Sequence, residues 1–187
     1  PADAHAVRHD HDAHGAEPLG QDEGQTPTES AFADVRSLSG RAIEGDVLTV
    51  EQGRPSFVVR GEAVGDLEAS ARLDLSGFTG TAMLVHHVAD AQNYDFLALD
   101  VSPSAPAQVR LGRARSGQFT VFDRGEAALD GEADLRAYAV GTHFRGYVGA
   151  EQVAHGHGDP APAGPVGLRF DGQGSVRVLA LSATPVR

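Results

Sequence analysis

Hydrophobic and polar positions alternate with a period of two over much of the chain. The clearest run is Asp66 to Leu75: Leu67, Ala69, Ala71, Leu73 and Leu75 share one face, and Glu68, Ser70, Arg72 and Asp74 share the other. Such alternation makes a strand with one buried and one wet face, as in antiparallel sheets. Thr81 to Val88 follows a turn around Gly77 to Gly80 and is apolar on both faces near Met83-Leu84-Val85. Tyr94 to Val101 alternates again, and Ser102-Pro103-Ser104-Ala105-Pro106 is expected to break that strand. Val109, Leu111 and Arg113 share the next face, and Phe119 and Val121 follow the Ser116-Gly117 turn. Leu135, Ala137 and Ala139 alternate with Arg136, Tyr138 and Val140, with Phe144 to Val148 as the hairpin partner. His155 to Gly164 reads as a loop. The last two strands, Pro165 to Phe170 and Ser175 to Leu181, are expected to join through a turn at Asp171-Gly172-Gln173-Gly174.

Upstream, Val47 to Val50 and Phe57 to Val59 are short apolar runs bounded by glycines and read as early strands. No segment carries the 3.6-residue period of a long amphipathic helix. Ten or more strands, with turn signals at roughly 8–12-residue spacing, predict an all-β antiparallel sandwich over residues 31–187. Residues 1–30 have no such periodicity and are rich in Ala, Asp, His, Glu, Gly and Pro. They bury too little apolar area to offset ordering, so a disordered or partner-ordered tail is expected.

Composition narrows the chemistry. The chain has 187 residues and no cysteine, which excludes disulfides, thiolate metal sites and cysteine nucleophiles. All 15 basic residues are Arg, so Schiff-base lysines are excluded as well. The net charge is −11, of which the tail holds −6. An acidic chain without a basic stripe is no nucleic-acid binder, because phosphate neutralisation supplies most of that affinity. No run approaches the roughly 18 apolar residues of a membrane-spanning helix. The first residues lack the basic and apolar regions of a signal peptide and fit a mature terminus left after processing.

Asp46-Val47-Leu48-Thr49-Val50, then Gly80 to Val85, then Asn93-Tyr94-Asp95-Phe96-Leu97-Ala98-Leu99 resemble the concanavalin A-like, laminin-G-like jelly-roll superfamily. The nearest branch is the bacterial 3-keto-disaccharide hydrolase domain. Its Asn-Tyr-containing strand and closing Gly-x-Val-Gly-Leu strand are matched by Asp90-Ala91-Gln92-Asn93-Tyr94 and Gly164-Pro165-Val166-Gly167-Leu168. The resemblance covers roughly residues 31–187 and implies a jelly-roll fold. These are framework motifs, so it implies no catalytic residue. Hydrolases of the superfamily use a Glu-x-Asp-x-x-Glu or Glu-x-Asp-x-Glu pattern, and Glu132-Ala133-Asp134-Leu135-Arg136-Ala137 supplies only the first two acids. Glu132 and Asp134 are the sole catalytic candidates, against the simpler reading of two solvated acids.

A glycan site needs aromatic platforms beside polar groups. There is no Trp, and the candidates are Tyr94, Tyr138 and Tyr147. For metals, His5, His9, His11 and His14 in the tail, among Asp3, Asp10 and Asp12, are suitable Zn²⁺, Cu²⁺ or Ni²⁺ ligands. His155 and His157 are read as part of a polar surface loop, with their side chains expected on opposite sides. His86-His87 ends a strand as hydrogen-bonded structural histidines. Asp95, Asp100 and Asp171 are oxygen donors for Ca²⁺, without an EF-hand pattern. No cofactor motif occurs, and neither a Gly-x-Ser-x-Gly elbow nor a dinucleotide loop is present.

The sequence therefore favours a non-catalytic interaction module outside the cytoplasm, periplasmic or secreted. It would be an accessory subunit docked on a larger membrane-associated protein complex. A carbohydrate-binding or glycan-hydrolysing module is the first alternative, and metal binding by the tail the second.

Overall fold

The computed structural model describes residues 31–103 and 105–187, which fold into antiparallel strands with no helix among them. In chain order the strands are β1 (Arg36–Ser39), β2 (Val47–Val50), β3 (Ser56–Val64), β4 (Leu67–Asp74), β5 (Phe78–Asp90) and β6 (Asn93–Ser102). They continue with β7 (Ala105–Arg115), β8 (Gln118–Ala127), β9 (Glu132–Val140), β10 (His143–Val148), β11 (Glu151–His157) and β12 (Gly164–Pro185). The hydrogen-bonded order β11-β10-β9-β4-β12-β5-β6-β7-β8 is one continuous path.

That path folds into two layers because of β12. The sequence predicts a hairpin turn at Asp171–Gly174; instead β12 runs unbroken for 22 residues. Its first half pairs with β3 and β5, and its second half with β2 and β4. The glycines make a bend rather than a turn. Gly174 has φ 119°, and a Cβ there would lie 2.0 Å from the carbonyl oxygen of Gly77, so only glycine permits this backbone approach. The first sheet is then β1-β3-β12-β5-β6-β7-β8, and the second is β2-β12-β4-β9-β10-β11.

Between the sheets lies a continuous apolar core, to which Leu84, Leu97 and Leu168 of the first sheet and Leu67, Leu135 and Phe144 of the second contribute. Each such fully buried side chain contributes about 1.5–3 kcal/mol relative to exposure. A second apolar cluster, including Phe57, Met83, Val85, Tyr94 and Phe96, occupies the opposite face of the first sheet. This explains why β5 reads as apolar on both faces.

The second difference from expectation is β11. The segment read as a loop from His155 is strand through His157, paired with β10. Its inward positions are Ala154 and Gly156, and a Cβ on Gly156 would come 2.6 Å from the Cβ of Phe122. Phe122 fills the volume that a larger β11 residue would need, so the strand carries almost no hydrophobic signal.

Candidate functional site

The outward face of the second sheet is polar and carries its chemistry in rows fixed by register. Arg145 of β10 lies opposite Tyr138 of β9, and Tyr147 lies opposite Arg136. Two tyrosines and two arginines therefore form a checkered grid. The guanidinium carbon of Arg136 sits 4.3 Å from the Tyr147 ring centroid, and that of Arg145 sits 5.5 Å from the Tyr138 ring. Both geometries are cation–π contacts. Both rings are half-buried. The Tyr147 hydroxyl donates to Gln152 Oε1 at 3.3 Å, and Arg136 Nη1 lies 3.7 Å from Glu68 Oε1. Ser70 and Ser182 hydrogen-bond across β4 and β12 at 3.0 Å. A depression of about 380 Å³ adjoins the grid, lined by Ser70, Asp134, Arg136, Gly149 and Ala150.

At the edge of the same face stand three exposed histidines. His143 of β10 is the register partner of His157 of β11, and His155 is the partner of Arg145. Positions i and i+2 of a strand share a face, so His155 and His157 point together, contrary to the sequence expectation. Ring centroids are 4.7 Å apart for His143–His157, 5.1 Å for His155–His157 and 6.3 Å for His143–His155. One ligand nitrogen from each comes within 4.8 Å of the others. His143 was missed from sequence; the small Gly156 between two histidines, read as a strand opposite His143, is the signal that finds the trio.

A second, buried polar group lies on the core side of the first sheet. Asp95 is fully buried and bound by Arg113, with Nε to Oδ1 at 2.6 Å and Nη2 to Oδ2 at 3.1 Å. His87, on a left-handed backbone with φ 50°, has Nδ1 2.9 Å from Asp95 Oδ2 and Nε2 2.6 Å from the Gly65 carbonyl oxygen. His86 Nδ1 lies 3.1 Å from His87 Nδ1. Burial pushes the His86 imidazole down to about 3, with His87 adding to the effect, so it is neutral. Burial alone would raise Asp95, but the hydrogen bonds from His87 and Arg113 outweigh it and hold the carboxyl down to about 2. The carboxylate already has its cation in Arg113. Both imidazoles are hydrogen-bonded, as expected for His86 and His87.

The remaining candidates are scattered. Tyr94 is only 2% exposed, in the apolar cluster on the opposite side of the first sheet, so it shares no surface with Tyr138 and Tyr147. Glu132 and Asp134 do share the outward face of β9. Both are exposed, and Glu132 lies 3.5 Å from Arg72. Asp100 is held by Arg110 and Thr81, and Asp171 lies 4.0 Å from Arg169, so the proposed Ca²⁺ donors occupy separate ion pairs. His5, His9, His11 and His14 lie outside the described residues. A further cleft of about 380 Å³, between Leu75, Phe78, Val101 and Leu129, is lined by no titratable side chain among the described residues.

No family model and no curated protein matches the sequence. Solved structures do match the fold. A carbohydrate-binding module, CBM66, from Bacillus subtilis superposes with a TM-score of 0.67 at 18% identity, covering 80% of this chain and 94% of that one. A Bacillus subtilis protein of unknown function with a galectin-like fold gives 0.61 at 15% identity, covering 85% and 94%. The carbohydrate recognition domain of Emp47p gives 0.59 at 14%, covering 86% and 92%. The fold is a jelly-roll β-sandwich. At these identities the likeness speaks for architecture alone.

Proposed function

We propose that this chain is a non-catalytic carbohydrate-binding module whose outward second-sheet face receives a glycan. The observation that carries the reading is the grid of Tyr138, Tyr147, Arg136 and Arg145. An aromatic face is electron-rich and suits the apolar C–H side of a sugar ring, while each guanidinium offers five N–H donors to hydroxyl or carboxylate oxygens. Held on strands and already packed against one another, these side chains lose little freedom on binding. Support also comes from solved neighbours described as a carbohydrate-binding module and a carbohydrate recognition domain. Together these favour glycan binding over the docked accessory subunit expected from sequence.

The pieces resembling the 3-keto-disaccharide hydrolase branch act as framework in this reading. Asn93 donates to Asp90 at 2.9 Å in the β5–β6 turn, and Gly167 lets β12 lie close against β3. The test is a glycan array spanning neutral and uronate-containing oligosaccharides, followed by titration of each hit. Binding that falls by on the order of tenfold or more in the Tyr138→Ala/Tyr147→Ala variant supports the reading, that being ~1.4 kcal/mol. An array without hits, or a hit indifferent to that variant and to Arg136→Ala, would remove it.

A further inference from the structure

We propose that His143, His155 and His157 form a surface site for a divalent metal ion of the Zn²⁺ class. Three imidazoles are a recurrent donor set for this ion, and they leave a fourth coordination position open. Their convergence is built by the sheet. His143 and His157 face each other across the β10–β11 ladder, and His155 is two residues along the same strand face. Phe144, Ala154 and Gly156 take the alternate, buried positions of the two strands, with the Phe144 and Ala154 side chains in the core.

The distances suit an ion. Tetrahedral coordination with Zn–N bonds near 2.0–2.1 Å sets the nitrogens about 3.3 Å apart. The three candidate nitrogens already lie within 4.8 Å of one another, so rotations of the side chains close the set without moving the strands.

The supporting backbone is tied down on both sides. The His155 amide donates to Asp123 Oδ2 at 2.8 Å, linking β11 to β8. The Gly158 amide donates to the Thr142 carbonyl at 3.0 Å, extending the β10–β11 pairing one step beyond His143 and His157. Ligands on anchored strands are preorganised, which a flexible histidine tract is not. All three rings are exposed, so an ion enters without opening the fold. The guanidinium of Arg145, the register partner of His155, is engaged with the Tyr138 ring, 5.5 Å from its centroid. The inference stands apart from glycan binding: it needs neither tyrosine.

The test must separate this site from the tail histidines. The full chain carrying His5→Ala, His9→Ala, His11→Ala and His14→Ala is titrated with Zn²⁺ by calorimetry and with Co²⁺ by absorption spectroscopy. One equivalent bound, with the visible bands of a four-coordinate Co²⁺ ion, is the expected result. Adding His157→Ala, or separately His143→Gln, should weaken binding by roughly 10–100-fold or more, the range already caused by losing outer partners of a metal ligand. Thermal unfolding of the metal-free variants, expected to match the parent, confirms that they fold. The proposal is overturned if the tail variant takes up no Zn²⁺, or if its affinity is unchanged by both substitutions.

Discussion

The guanidinium of Arg113 clasps both oxygens of the Asp95 carboxylate across adjacent strands β6 and β7, at 2.6 and 3.1 Å. The two flanking rings, Phe122 and Phe144, each lie 5.5 Å from the guanidinium carbon. A charged pair is thus set at the end of the apolar core. Such a pair contributes little net stability relative to an apolar pair, but losing one member strands a charge without its partner. Arg113→Met is therefore expected to cost about 3–5 kcal/mol in urea unfolding. Arg113→Lys should recover only part, because an ammonium cannot make the two-pronged contact. Asp95→Asn/Arg113→Met should be more stable than Arg113→Met alone. A single-variant loss below about 1 kcal/mol would contradict the burial argument.

Stability should fall on acidification, and both buried groups drive it the same way. His86 is held near 3 in the fold against about 6.5 when unfolded, so between those values the unfolded chain binds more protons. Stability is then lost as pH drops from about 6.5 towards 3. Asp95, near 2 in the fold against an ordinary 3.8, adds a further loss as pH falls from its unfolded value through 2. Asp74, Asp90 and Asp123 are lowered by hydrogen bonds from Ser76, Gln92 and His155 respectively, and act in the same direction in the carboxylate range. Urea midpoints measured from pH 7.5 to 4 should decline, and His86→Gln should flatten that decline. An unchanged slope in the variant would show that His86 is not the group responsible.

Gly174→Ala places a Cβ against the Gly77 carbonyl and forces φ 119° on an alanine. Such a strained backbone costs on the order of 1–3 kcal/mol before any clash is counted. The expected outcome is a melting temperature lower by several degrees, whereas an unchanged value would mean that the β12 bend tolerates side chains.

Glu132→Gln and Asp134→Asn should each leave stability within about ±0.5 kcal/mol, the usual range for surface positions. Arg72 and Glu132 are each more than half exposed, so their 3.5 Å contact is screened by water. A large loss in either variant would reveal a structural role that the exposed geometry does not provide.

The sandwich was legible in the sequence where one rule acted alone. Along β4, alternation assigned Leu67, Ala69, Ala71 and Leu73 to the core, where all four are buried. It failed where a neighbour had taken over the work of a side chain. Ala154 and Gly156 mark no hydrophobic face because Phe122 already fills that space, so β11 and its histidines read as a loop. Glycines 172 and 174 look like a hairpin turn, and a local pattern cannot tell a turn from a bend whose two sides pair with different strands. Tyr94 alternates as well as Tyr138 does. Only the packing on the far side of the first sheet distinguishes a buried ring from one available to a ligand.

The shared strand also constrains how the protein can be made. β4 and β5 are consecutive in the chain, yet β12 is inserted between them, and β2 and β3 also wait for it. At ~5–20 residues per second, roughly 5–20 s separate the synthesis of β5 from that of the end of β12. During that interval four strands present open edges of the kind that recruit other chains. Closure of this sandwich consequently waits on one segment, β12, whose docking locks both layers at once.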